Sequence, residues 1–99
     1  MTKEYEFHGN GTFPVEKADK ILKQYGIIEH KSWSSDLPES ASEFFPHFHY
    51  MVTLGDETCV RIENKSNLRM HEDMYRVIIC GDSETASRIK EELEKLREQ

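Results

Sequence analysis

Two cysteines, three prolines, five glycines and one tryptophan in 99 residues leave several protein classes without their raw material. Small secreted scaffolds rely on many disulfides. Here Cys59 and Cys80 form no CxxC pair, and each falls inside a stretch that reads as a strand. Both are expected to be reduced thiols of a cytoplasmic protein. No run approaches the ~18 apolar residues of a membrane span. The opening MTKEYEFHGNG has no apolar segment of the signal-peptide kind, so neither secretion nor a membrane is expected. Positive charge is also scarce: 13 Lys and Arg stand against 19 Asp and Glu, for a net charge of −6. An acidic domain is repelled by phosphate backbones. Lys65, Arg69 and Arg76 are interrupted by Glu72 and Asp73 rather than gathered into a stripe. Direct nucleic-acid binding is therefore not expected.

Catalytic signatures are missing as well. GxSxG, HExxH, P-loop and EF-hand patterns are absent, and no pair of carboxylates stands out. The reading leans away from an enzyme. The segment HGNGTFP joins a strand to a helix, where exposed amides can bind an anion, but a tight turn plus a cap explains it. His8 and Cys80 would make a nucleophile pair only if the strands carrying them brought these two residues together.

What the chain does have is period. Phe44 to Leu54, FFPHFHYMVTL, alternates: Phe48, Tyr50, Val52 and Leu54 point to one side of a strand, and His47, His49, Met51 and Thr53 to the other. Pro46 lacks a ladder donor, which favours an edge or a bulge there. Residues 4–8 alternate with Tyr5 and Phe7 on one side. Pro14 opens a helix over 14–25, with Val15, Ala18, Ile21, Leu22 and Tyr25 at helical spacing and Gly26 behind it. Residues 27–34 form a strand in one of two phases: Ile27 and Trp33 point inward, or Ile28 and His30 do. Residues 35–43 are a polar loop with room for one helical turn at 38–43. A turn at 55–57 leads to a strand over 58–63, and residues 64–73 read as a connection. Met74 to Cys80 is apolar on both faces apart from Arg76, as strands inside a sheet are. Asp82 and Ser83 cap a last helix whose stripe is Ala86, Ile89, Leu93 and Leu96.

The fold class is thus α+β, one domain over 1–99, with element order β-α-β-β-β-β-α. One antiparallel sheet with two helices packed on one face satisfies it. The order resembles one half of a TATA-box-binding protein over nearly the whole chain, as an arrangement of elements without any shared motif, and a likeness of that kind implies nothing about function. A ferredoxin-like variant is the alternative, although this chain ends on a helix. Two helices cannot cover both sheet faces.

The uncovered face is expected to display His47, His49, Met51, Arg61, Arg76 and Ile78. The leading function is a small, non-enzymatic interaction domain that uses this face to bind a protein partner or itself, most simply as a homodimer, with no cofactor. The second is a transition-metal site, zinc or another, with His30, His47, His49 and Cys59 as ligands, because alternate strand residues place two imidazoles about 7 Å apart on one face. The third is a small-ligand sensor with Trp33, Phe45 and Tyr50 as pocket walls.

Overall fold

The computed structural model describes residues 2–39 and 43–98. The elements run β1 (Thr2–Asn10), α1 (Val15–Lys23), β2 (Ile27–Ser34), β3 (Phe45–Leu54), β4 (Cys59–Asn67), β5 (Glu72–Asp82), α2 (Ser83–Glu94) and a closing 3-10 turn, Lys95–Glu98. The five strands form one antiparallel sheet in the order β1-β5-β4-β3-β2. The possible helical turn at 38–43 lies partly outside the described residues.

One face of this sheet makes the core. Phe7, Tyr50, Val52, Leu54, Val60, Ile62, Tyr75, Val77 and Ile79 alternate along their strands and bury against Ala18 and Leu22 of α1 and Ala86, Ile89 and Leu93 of α2. Fully burying each large side chain is worth ~1.5–3 kcal/mol. Both helices therefore lie on the same side of the sheet. Asp82 starts α2 by accepting from Glu84 N at 3.2 Å, the cap its sequence position suggests. The approach to α1 is fixed across the fold: Phe13 N donates to Asn64 Oδ1 at 2.9 Å. Tyr25 OH donates to Glu92 and ties α1 to α2. Partial burial, and then that partner, push the Tyr25 phenol up to about 12.

Four strand readings change: β5, read over 74–80, runs Glu72–Asp82. β1 extends to residues 2–10 because it pairs with β5 along its whole length, Thr2 opposite Asp82 and Asn10 opposite Met74. β4 continues through Asn67, so the connection expected over 64–73 shrinks to the turn at 68–71. Polar residues hide that half of β4: Asn64, Ser66 and Asn67 are buried, and they spend their side chains on structure, with Ser66 Oγ donating to Asp73 Oδ1 at 2.6 Å and Asn67 Oδ1 accepting from Met70 N at 3.0 Å. In β2 neither phase runs through. A register shift between Ile27 and Glu29 turns Ile27 toward the core, leaves Ile28 68% exposed, and then puts His30 on the helix side and Trp33 on the other. A second shift lies between Pro46 and Phe48 in β3, where the proline withholds a ladder donor.

Candidate functional site

Register converts the helix-free face into rows of side chains. Across β2, β3, β4, β5 and β1, one row reads Trp33, His49, Glu63, Arg76, His8; the next Lys31, Met51, Arg61, Ile78, Glu6; the third Glu29, Thr53, Cys59, Cys80, Glu4. Five of the six expected binding residues, His49, Met51, Arg61, Arg76 and Ile78, thus occupy two adjacent rows. His47 falls at the β3 register shift beside them.

Glu63 is the centre of this face. It is only 2% exposed although no helix covers it. Its neighbours do the covering. Arg76 Nη2 donates to both carboxylate oxygens, at 3.0 and 3.1 Å. Arg61 Nε lies 3.1 Å from Oε1, close enough for charge attraction but not aligned to donate. Lys65 Nζ is 3.9 Å from Oε2. Arg76 Nη1 reaches on to Glu6 at 3.5 Å, and His8 Nε2 lies 3.0 Å from the same Glu6 oxygen. Burial alone would raise the Glu63 carboxyl, but the Arg76 hydrogen bonds and the three cations outweigh it and hold it below the usual glutamate range.

Beside this network, Trp33 stacks flat on His49, with ring centroids 4.7 Å apart and planes 9° from parallel. Burial holds the His49 imidazole below its usual pKa; Glu63 works against that shift, and Arg61 and His47 reinforce it. Among the described residues, buried His49 Nδ1, Arg61 Nε and Arg76 Nε find no hydrogen-bond partner, and all three belong to this patch.

No family model, curated protein or solved structure matches the chain.

The four expected metal ligands do not converge. His30 sits opposite Val52 and packs its ring 5.2 Å from that of Tyr50 on the helix side, while His49 and Cys59 are on the other face, four β3/β4 register positions apart. Among the described residues no three His, Cys, Asp or Glu side chains gather closely enough to hold a metal. The β2 register shift separates His30 from the others. His8 and Cys80 are separated as well: β1 and β5 are neighbours, but His8 pairs with Arg76 and Cys80 with Glu4, four residues along the strand.

The sensor walls also divide. Tyr50 lines an open groove of about 360 Å³ with Val15, Asp19, His30 and Phe48, and its hydroxyl donates to Asp19 Oδ1 at 2.6 Å. Trp33 belongs to the opposite face, and Phe45 does not line the groove. The feature the sequence reading lacked altogether is Glu63. Its side of the strand, with Arg61 and Lys65 flanking it, follows from period 2, but its pairing with Arg76 depends on cross-strand register. None of the described helices is long and apolar enough to cross a membrane.

Proposed function

We propose that the protein is a non-enzymatic interaction domain whose helix-free sheet face docks against a second copy of the chain. The observation that carries this reading is the state of that face: half-buried Met51, Cys59, Ile78 and Cys80, and buried nitrogens on His49, Arg61 and Arg76 that make no hydrogen bond among the described residues, all on the side of the sheet that neither described helix covers.

Charge favours a second copy. The fifteen positions of the three rows carry three basic and four acidic residues, against −6 for the whole chain. Two such faces meet with little net repulsion, less than the charge of the whole chain would give. Size agrees. Five strands about 4.8 Å apart and about 30 Å long present ~700 Å², close to the ~800 Å² per partner of a standard interface. The row with Lys31 at one end and Glu6 at the other suits a two-fold axis running along β4. That axis sets Lys31 over Glu6 of the second copy and Met51 over its Ile78, while Glu29 meets Glu4 and Arg61 meets Arg61.

The strand order 1-5-4-3-2, with both helices on one side, supports the half-TATA-box-binding-protein-like arrangement over the ferredoxin-like variant. The likeness concerns arrangement and carries no activity.

Sedimentation equilibrium tests the proposal. The wild-type chain is expected to dimerise with rising concentration, and Met51→Asp to remain monomeric while keeping its circular dichroism. Lys31→Glu is expected to weaken the dimer, and Lys31→Glu with Glu6→Lys to restore it. A wild-type monomer at high concentration overturns the reading, as does a dimer indifferent to Met51→Asp.

A further inference from the structure

We propose that Cys59 and Cys80 form a two-thiolate site for a soft monovalent cation, Cu(I) being the natural candidate. The two residues are direct cross-strand partners on β4 and β5, point to the same uncovered face, and are both free and partly exposed.

Their spacing decides what they can do together. Leu54 N donates to Thr58 O, and Gly11 N donates to Asp73 O. Counting in twos from the first bond, Cys59 turns its backbone groups toward β5. Counting from the second, Cys80 turns its own toward β4. The pair is therefore of the kind that exchanges backbone hydrogen bonds, with Cα atoms about 5.5 Å apart. Side chains at such pairs stand at the wide end of the cross-strand range, with Cβ atoms ~5.5 Å apart, whereas a relaxed disulfide draws them to ~3.8 Å. A disulfide here would be strained and easily reduced. A bridging ion fits the wider gap, because two metal–sulfur bonds of about 2.3 Å each, the zinc value, span more than one S–S bond.

Ligand number then selects the ion. Structural zinc takes four protein ligands, and no third His, Cys, Asp or Glu joins these two sulfurs among the described residues. Thiolates select soft ions, Cu(I) among them, and a d¹⁰ monovalent ion is satisfied by two. The row ends in Glu29 on one side and Glu4 on the other, so the surroundings favour a cation. Binding is then a plain exchange: two S–H protons leave to solvent, two S–Cu bonds form, and nothing is oxidised or reduced.

The test is an anaerobic titration of the reduced full chain with Cu(I) held by a chromophoric competing chelator such as bicinchoninate. One Cu(I) per chain is expected, with ultraviolet thiolate-to-metal absorption and a fall in uptake at lower pH. Cys59→Ser and Cys80→Ser are each expected to abolish that one-to-one uptake while keeping the circular dichroism of the wild type. Zn(II) against its own chelator is expected to show no stoichiometric binding. Uptake that survives either serine substitution overturns the proposal, as does Zn(II) binding as tight as that of Cu(I). So does an intrachain disulfide that persists in excess reduced glutathione, since it would show the strands closer than an exchanged backbone pair permits. Both ligands come from one chain, but the proposed dimer would cover the same face and set Cys59 against Cys59 of the second copy, so the site is also titrated in a chain that stays monomeric. Met51→Asp is expected to keep its Cu(I), which separates failure of the site from failure of the dimer.

Discussion

Replacing Glu63 by glutamine removes one charge from the middle of the sheet and leaves its shape. Glu63 is 2% exposed and takes two charge-assisted hydrogen bonds from Arg76, with Arg61 and Lys65 close by. Hydrogen bonds to charged groups are worth ~1.5–3 kcal/mol each, and removing one member of a buried ion pair costs ~3–5 kcal/mol. The guanidinium partners are less buried: Arg76 is 32% and Arg61 42% exposed. Water compensates them in part, which places Glu63→Gln at the lower end, about 3 kcal/mol. That is a large share of the ~5–15 kcal/mol stability of a typical domain, and it corresponds to a fall of ~12–24 °C in Tm for a chain of this length. Urea unfolding at pH 7 measures the loss, with an unchanged slope showing that only stability moved. The sign with pH is fixed. The folded carboxyl titrates below the unfolded one, so the unfolded chain takes up the proton first as pH falls. The stability tied to ionised Glu63 is complete above the ordinary glutamate value of about 4.3 and is lost as pH falls through the folded value. The gap between wild type and Glu63→Gln should therefore persist from about pH 7 to 5 and close below that. Asp19 and Asp56, also held low, keep their own contributions in both proteins. Glu84→Gln, on a pair whose side chains are 83% and 63% exposed, is the control, at under ~0.5 kcal/mol. A cost for Glu63→Gln no larger than that control would refute the account of a charge buried and held by its neighbours.

Tyr50→Phe removes the hydroxyl that donates to Asp19 at 2.6 Å; a loss of ~1–2 kcal/mol is expected, together with a rise in the Asp19 pKa by NMR titration, since that hydrogen bond is the largest factor holding it down. Gly9→Ala would place its Cβ 2.0 Å from the Tyr75 hydroxyl oxygen and 2.2 Å from the ring, so a destabilisation of ~1–3 kcal/mol is expected by thermal melting, and a variant as stable as wild type would refute the close approach of β1 to that ring. Trp33, the single tryptophan, stacks on His49, so its emission should titrate with a midpoint below the ordinary histidine value of about 6.5 and lose that titration in His49→Gln. Because the folded His49 is held below the unfolded value, the unfolded chain protonates first, and stability should decline as pH falls below about 6.5; a dimer on this face should also loosen toward pH 5.5, as a charged His49 joins Arg61 and Arg76.

Most of the fold was legible because most elements carry a single, unbroken period. The β3 alternation placed Phe48, Tyr50, Val52 and Leu54 in or against the core, and Pro46 marked the place of its register shift. The helices followed from Pro14, Gly26 and Asp82 together with stripes at helical spacing. What was not legible had a physical reason in each case. In β2 a bulge changes phase partway, so two incompatible readings were each right for part of the strand. In β4, Asn64, Ser66 and Asn67 are polar yet buried, because their side chains bond to the backbone and to a neighbouring strand instead of facing water. Hydropathy cannot distinguish that from a loop.

The candidate site shows the same divide more sharply. Period 2 says which side of its strand a residue takes, so His49, Met51, Arg61, Arg76 and Ile78 could be grouped before any strand was paired with another. It does not say which residue of one strand lies beside which residue of the next, and here that second fact carries the chemistry. A shift of two positions between β4 and β5 would keep every side chain on its face and still take Arg76 from Glu63 and Cys80 from Cys59. Registers differing by two share one hydrophobic pattern, so the core alone does not choose between them. The observed register aligns an acid with a base across β4 and β5, and the Glu63–Arg76 pair with its two hydrogen bonds is lost in any shifted one. A buried ion pair adds little net stability over an apolar pair. It does penalise misregistration, because each shifted alternative takes Arg76 and its two hydrogen bonds from the buried carboxylate and leaves it only Arg61 and Lys65 of its own strand.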